Sequence, residues 1–178
     1  MKWIIFAAYL ATIPLANWLI GNVGTECIPN GPCLVPVGFG LMAPSGVLVI
    51  GAALVLRDAL QASLGARWAL VAIACGVVLS AFVAPPSLIM ASAVAFGLAE
   101  LSDMAVYTPL RKSGRLAMAV LASGVVGAAV DSAVFLWLAF GSLDYIAGQI
   151  VGKMWMTIAA ATVLIWRNAT RTTHQGEQ

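Results

Sequence analysis

Residues 87–109 read SLIMASAVAFGLAELSDMAVYTP. The stretch is as long as the ~20 residues that span a bilayer core. It is apolar apart from Glu100, Asp103 and a few hydroxyls, and charge returns just beyond it at Arg111, Lys112 and Arg115. An ionisable side chain at mid-membrane costs at least ~2.5–3.5 kcal/mol, so a span that keeps two carboxylates uses them. Glu100, Asp103 and Tyr107 fall at i, i+3 and i+7, one face of one helix, and Phe96 extends that face.

The same pattern repeats outward along the chain. Six apolar segments run over residues 3–20, 39–60, 68–84, 87–109, 116–140 and 145–166, and each predicts a transmembrane helix. The expected fold is an all-α integral membrane protein of six transmembrane helices in one domain, residues 1–166, followed by a polar tail over 167–178. Gly21–Val37 reads as a polar, Pro/Gly-rich loop, and Pro85-Pro86 stops the third helix. The first segment exceeds the ~7–15-residue apolar core of a cleaved signal and reads as a retained helix. Composition agrees: 62% of the 178 residues are hydrophobic and 9% charged, against ~25% charged in soluble domains.

Orientation follows from basic residues. With the N-terminus inside, Lys2, Arg57, Arg67, Arg111, Lys112, Arg115, Arg167 and Arg171 all lie at the inner side, and the outer loops hold no Lys or Arg. This predicts both termini in the cytoplasm, in a multi-pass protein of the cell (inner) membrane. Cys27 and Cys33 then face outward, where a bridge between them and two free thiols both fit.

The remaining intramembrane charges are Arg57, Asp58, Asp131 and Lys153. At 1.5 Å per residue, Asp131 lies roughly 14 Å and Lys153 roughly 10–12 Å below the outer surface, which predicts an ion pair. Arg57 is level with Asp103 and pairs with it by depth. That leaves Glu100 without a protein cation and makes it the expected principal carboxylate for a substrate. Gln149, Lys153 and Thr157 form a second polar stripe, and Asn17 adds an amide to the first helix. Four acids against two bases leave two surplus carboxylates, which can titrate and so admit coupling to protons.

Nothing in the sequence points to an enzyme, a cofactor or a metal. The single histidine, His174, lies in the tail, and no nucleophile is paired with a base. The net charge of +2 is small, and with no basic run interleaved with aromatics no nucleic acid is expected as a partner. The expected partners are the lipid bilayer and a small polar solute, with a homo-oligomer allowed. Small residues at Gly148 and Gly152 predict close helix contact.

Arg57-Asp58, the run Glu100-Leu101-Ser102-Asp103-Met104-Ala105-Val106-Tyr107 with Leu110-Arg111, Val130-Asp131-Ser132 with Phe135, and Lys153 together resemble the queuosine precursor transporter family, also called the vitamin uptake transporter family. The resemblance covers roughly residues 36–157. It implies six helices and import, in secondary active fashion, of a purine-like solute such as 7-cyano-7-deazaguanine. The residues admit that chemistry. A carboxylate accepts the adjacent N–H donors of a guanine edge, Lys153 or Gln149 donates to its carbonyl, and Phe96, Tyr107, Phe135 or Trp155 walls the flat ring. The expected substrate-binding set is Glu100, Asp103, Tyr107, Phe96, Asp131, Lys153 and Gln149. The alternatives are a substrate-binding membrane subunit driven by a separate module, a structural membrane protein, and a channel.

Overall fold

The computed structural model describes residues 2–29, 31–84 and 86–175, with side chains to residue 166 apart from Ser87. Pro85, the side chains of Arg167, Arg171 and His174, and residues 176–178 lie outside the described part. Six helices are long and apolar enough to cross a membrane. They are α1 (Lys2–Asn22), α2 (Val47–Leu64), α3 (Ala66–Val83), α4 (Ile89–Lys112), α5 (Leu116–Phe140) and α6 (Ile146–Gln175). A one-turn 3₁₀ helix, Pro86–Leu88, leads into α4. Short connections between α2 and α3 and between α4 and α5 make each pair antiparallel, with Gly65 and Gly114 at positive φ in the turns. The third helix stops at Val83 and Ala84 is extended, the conformation favoured before proline.

Two boundaries depart from the expected ones. Helix α6 does not end at the apolar boundary near Trp166 but continues to Gln175. More consequentially, the second span begins at Val47 rather than Phe39. The residues ahead of it form an antiparallel sheet of β1 (Glu26–Cys27), β2 (Cys33–Gly38) and β3 (Leu41–Pro44). Cys27 lies opposite Cys33 and the two are bridged; Leu34 lies opposite Pro44. The apolar run Leu41–Pro44 had the hydropathy of a span. Its backbone instead turns at Gly38-Phe39-Gly40, three successive residues at positive φ, which closes a β-turn and cannot start a helix.

The β2–β3 hairpin does not stand clear of the helices. The Trp155 indole donates to the Val37 carbonyl at 2.8 Å, and the Phe39 ring stacks on Trp155 with centroids 6.3 Å apart. Trp155 is nine residues into α6, about 14 Å along its axis, so the hairpin tip dips far down the bundle wall. A side chain at Gly148 would collide with the Met42 carbonyl, and one at Gly152 would meet Val37 and Val47. The small-residue pair on α6 therefore receives the hairpin and the start of α2 rather than serving only a helix–helix contact.

The main apolar core joins α1, α2, α3 and α4 through Tyr9, Ile13, Ala53, Leu60, Ala69, Ala72 and Phe96. Helices α2 and α6 approach so closely that a Cβ at Gly51 would lie 2.7 Å from the Lys153 carbonyl oxygen. Without strong hydrophobic sorting between helices in lipid, such close backbone packing carries much of the association.

Candidate functional site

The intramembrane polar residues separate into two layers. The first lies in the half of the bundle that carries the hairpin. There the Lys153 ammonium on α6 contacts Asp131 Oδ2, Ser132 Oγ and Gln149 Oε1, each at 2.7 Å. The ion pair expected from matched depth on α5 and α6 forms. An ammonium has three protons, and all three are used. Gln149 sits one turn before Lys153 and must turn its carbonyl oxygen to the ammonium. That leaves its NH₂ group without a protein partner among the described residues. Asp131 gives one carboxylate oxygen to Lys153 and keeps the other.

These groups open onto a pocket enclosing about 530 Å³, its mouth included. Asp131, Gln149 and Lys153 form its polar wall, and Phe96 and Phe135 supply flat apolar surfaces. Asn17, Ser80 and Ser92 add amide and hydroxyl groups from α1, α3 and α4, and Pro44 and Gly46 close the hairpin side. The Asn17 NH₂ donates one proton to the Ile13 carbonyl at 2.9 Å, which fixes the amide on α1. The mixed lining, apolar faces with a few convergent polar groups, is that of a small-molecule site.

The second layer lies toward the opposite, basic end and is closed. The Arg57 guanidinium on α2 is fully buried. It pairs with Asp58 at 2.9 Å, with Glu100 at 3.1 Å and with Asp103, and also donates to Gln61 Oε1 at 3.2 Å. The Tyr107 ring lies 5.5 Å from the guanidinium, and its hydroxyl donates to the Asp58 carbonyl at 3.3 Å. Ser123 on α5 donates to Asp58 Oδ2 at 3.3 Å. Arg111 reaches back from α4 to the carbonyls of Gln61 and Ala62 at 3.1 and 2.9 Å. It thereby ties α4 to carbonyls in the last turn of α2, beyond any role in orientation.

The expected binding set is thus divided. Phe96, Asp131, Gln149 and Lys153 come together in the pocket. Glu100, Asp103 and Tyr107 do not line it. Glu100 has the cation it was expected to lack, because the planar guanidinium presents donors on several edges and reaches both Glu100 and Asp103. Between the layers lie Phe96 and Tyr9, whose ring centroids are 6.1 Å apart. Glu100 is one turn below Phe96 on α4, on the far side of that apolar floor. Asp58, next to Arg57 on α2, is buried as well. Trp155 serves the hairpin instead of the pocket. Ser80 and Ser92 were missed, since a lone serine in an apolar helix carries no distinguishing pattern.

Residues 78–167 match the profile of the family described as "putative vitamin uptake transporter". That range holds α4, α5 and α6 up to Arg167, and with them every acid of both layers except Asp58. No curated protein and no solved structure matches the chain.

Proposed function

The chain belongs to the vitamin uptake transporter family, a multi-pass membrane protein that moves a small molecule, and from that premise we propose that it imports 7-deazaguanine queuosine precursors, such as 7-cyano-7-deazaguanine. One observation carries this reading: the pocket places a carboxylate oxygen of Asp131 and the free NH₂ of Gln149 on a wall flanked by Phe96 and Phe135. A guanine edge needs such a set. Its adjacent N–H donors go to a carboxylate, its carbonyl takes a donor, and its flat ring packs on aromatic faces. Asp131 takes the role of substrate carboxylate that depth alone had given to Glu100. Gln149 is the carbonyl donor, because the protons of Lys153 are spent. Lys153 holds Asp131 and Gln149 in place.

Binding of 7-cyano-7-deazaguanine to the purified protein, followed by thermal shift in detergent beside guanine and adenine, tests the assignment. The guanine-edge compounds should stabilise the protein and adenine should not, since adenine turns an acceptor toward Asp131. Equal stabilisation by adenine refutes the reading.

In this reading the pocket lies toward the outer face of the inner membrane and both termini are cytoplasmic. The motive is the confinement of Lys2, Arg67, Arg111, Lys112 and Arg115 to one end of the bundle. A cysteine introduced at the C-terminal tail should resist an impermeant thiol reagent in intact cells, in a Cys75→Ser background because that thiol is free and exposed. Labelling from outside reverses the orientation.

A further inference from the structure

We propose that the closed Arg57 cluster is a proton-binding site, with Glu100 and Asp103 holding the protons that couple solute movement to a proton gradient. The proposal extends the importer reading above.

The first ground is charge. Asp58, Glu100 and Asp103 share one guanidinium. Among the described residues no second cation pairs with them: Lys153 is engaged in the other layer, and Arg111 is committed to the α2 carbonyls. Ionised, the cluster would carry two uncompensated negative charges inside apolar spans. Each uncompensated buried ion costs several kcal/mol, and a bilayer offers no solvent to offset it.

The second ground is geometric and comes from a different helix. Tyr9 on α1 is fully buried. Its hydroxyl reaches toward Glu100 closely enough to act on it as a donor, though outside good hydrogen-bond geometry, and Glu100 Oε1 and Asp103 Oδ2 have no well-formed hydrogen bond either. One hydroxyl proton cannot serve both open carboxylate oxygens of this closed space, and a bound proton supplies the missing donor. A metal ion suits the site poorly. The guanidinium occupies its centre, and among the described residues no group of three acidic, histidine or cysteine side chains is arranged to hold one.

The groups facing the cluster are Tyr9 from α1, Arg57, Asp58 and Gln61 from α2, Glu100, Asp103 and Tyr107 from α4, and Ser123 from α5. Among the described residues, none of the titratable groups acting most strongly on Asp58, Glu100 and Asp103 comes from α3 or α6. The link to the pocket is short. Tyr9 touches both Glu100 and Phe96, and Phe96 lines the pocket. A change at the Phe96 wall on solute binding is felt at Glu100, whose Oε1–H bond forms with a proton taken from water on one side and breaks to return it to water on the other.

The test uses the intact chain. Infrared spectra of the purified protein at neutral pH, in H₂O and D₂O, report the C=O stretch of a protonated carboxylic acid, well separated from carboxylate bands. The parent should show this isotope-sensitive band, and Glu100→Gln and Asp103→Asn should each lose part of it. Tyr9→Phe, which keeps the packing, should shift it. No band in the parent, or an unmoved band in Tyr9→Phe, overturns the assignment. In proteoliposomes an acid-outside gradient should drive accumulation of 7-cyano-7-deazaguanine. Glu100→Gln should bring accumulation down to its level without a gradient, with counterflow exchange still detectable. A sodium gradient driving uptake, or an undiminished response to the proton gradient in both carboxylate variants, also overturns the proposal. If the band behaves as expected but the protein binds no deazaguanine, the substrate reading fails and the proton site stands.

Discussion

The two polar layers are built from similar residues and behave differently. In the hairpin half, one acid meets one base, the charges cancel, and the pair opens onto the pocket. In the basic half, three acids meet one base, the charges cancel only when two of the acids hold protons, and the cluster is sealed. A neutral pair with one spare carboxylate oxygen suits recognition of a solute. A sealed cluster with surplus acid does not, because nothing larger than a proton reaches it. Position along a helix axis does not separate these roles; the floor of Phe96 and Tyr9 between the layers does.

The largest effect is expected at the hub of the closed layer. Arg57→Met removes the only guanidinium among three buried carboxylates. Breaking one buried pair costs about 3–5 kcal/mol, and here Glu100 and Asp103 lose their guanidinium donors as well. The variant should fail to run as a monodisperse species on size-exclusion chromatography in detergent. A well-folded Arg57→Met protein would mean that the cluster is protonated throughout and needs no cation, which erases the contrast between the layers.

In the open layer the pair is matched, so its loss should be compensable. Asp131→Asn alone or Lys153→Gln alone strands one charge and should each cost about 3–5 kcal/mol. The double variant should be milder than either single change, as read by thermal unfolding. Strict additivity of the two losses breaks the ion-pair account.

The same double variant sharpens the functional side of the comparison. With folding restored, 7-cyano-7-deazaguanine should bind more weakly by about 1.5–3 kcal/mol, the worth of a hydrogen bond to a charged group, or roughly ten- to a hundredfold. Unchanged affinity in a calorimetric titration would move the solute away from Asp131.

The smallest effect belongs to Gln149. Replacing it by Leu removes a neutral donor worth about 0.5–1.5 kcal/mol, up to about tenfold in affinity. The loss should be confined to ligands with a carbonyl on the edge facing it. An equal loss for a ligand without that carbonyl would make Gln149 a packing residue.

Much of this was legible in the chain. Helix α5 starts and stops where its hydropathy does, at Leu116 and Phe140, because Arg115 and Gly141 bound an uninterrupted apolar run. Asp131 and Lys153 could be paired from sequence because consecutive antiparallel helices share a depth scale. Arg57 and Asp103 could be paired for the same reason, but the further bond to Glu100 could not, since it depends on how a forked guanidinium turns between two helices. The hairpin was hidden because Leu41–Pro44 is as apolar as a helix, and only its glycine-flanked turn at Phe39 sets it apart.

The sequence by itself determined the membrane as solvent, the number of spans, the clustering of basic residues at one end and the depth of every buried charge. These follow from hydrophobic length and a fixed rise per residue, which are local properties of the chain. Only the tertiary structure decided which carboxylate faces the pocket, which is sealed beneath Phe96 and Tyr9, and that a β-hairpin lies against α6. Those outcomes depend on the rotation of each helix about its axis and on backbone approaches such as Gly51 to Lys153, and both are fixed by packing between segments far apart in the chain.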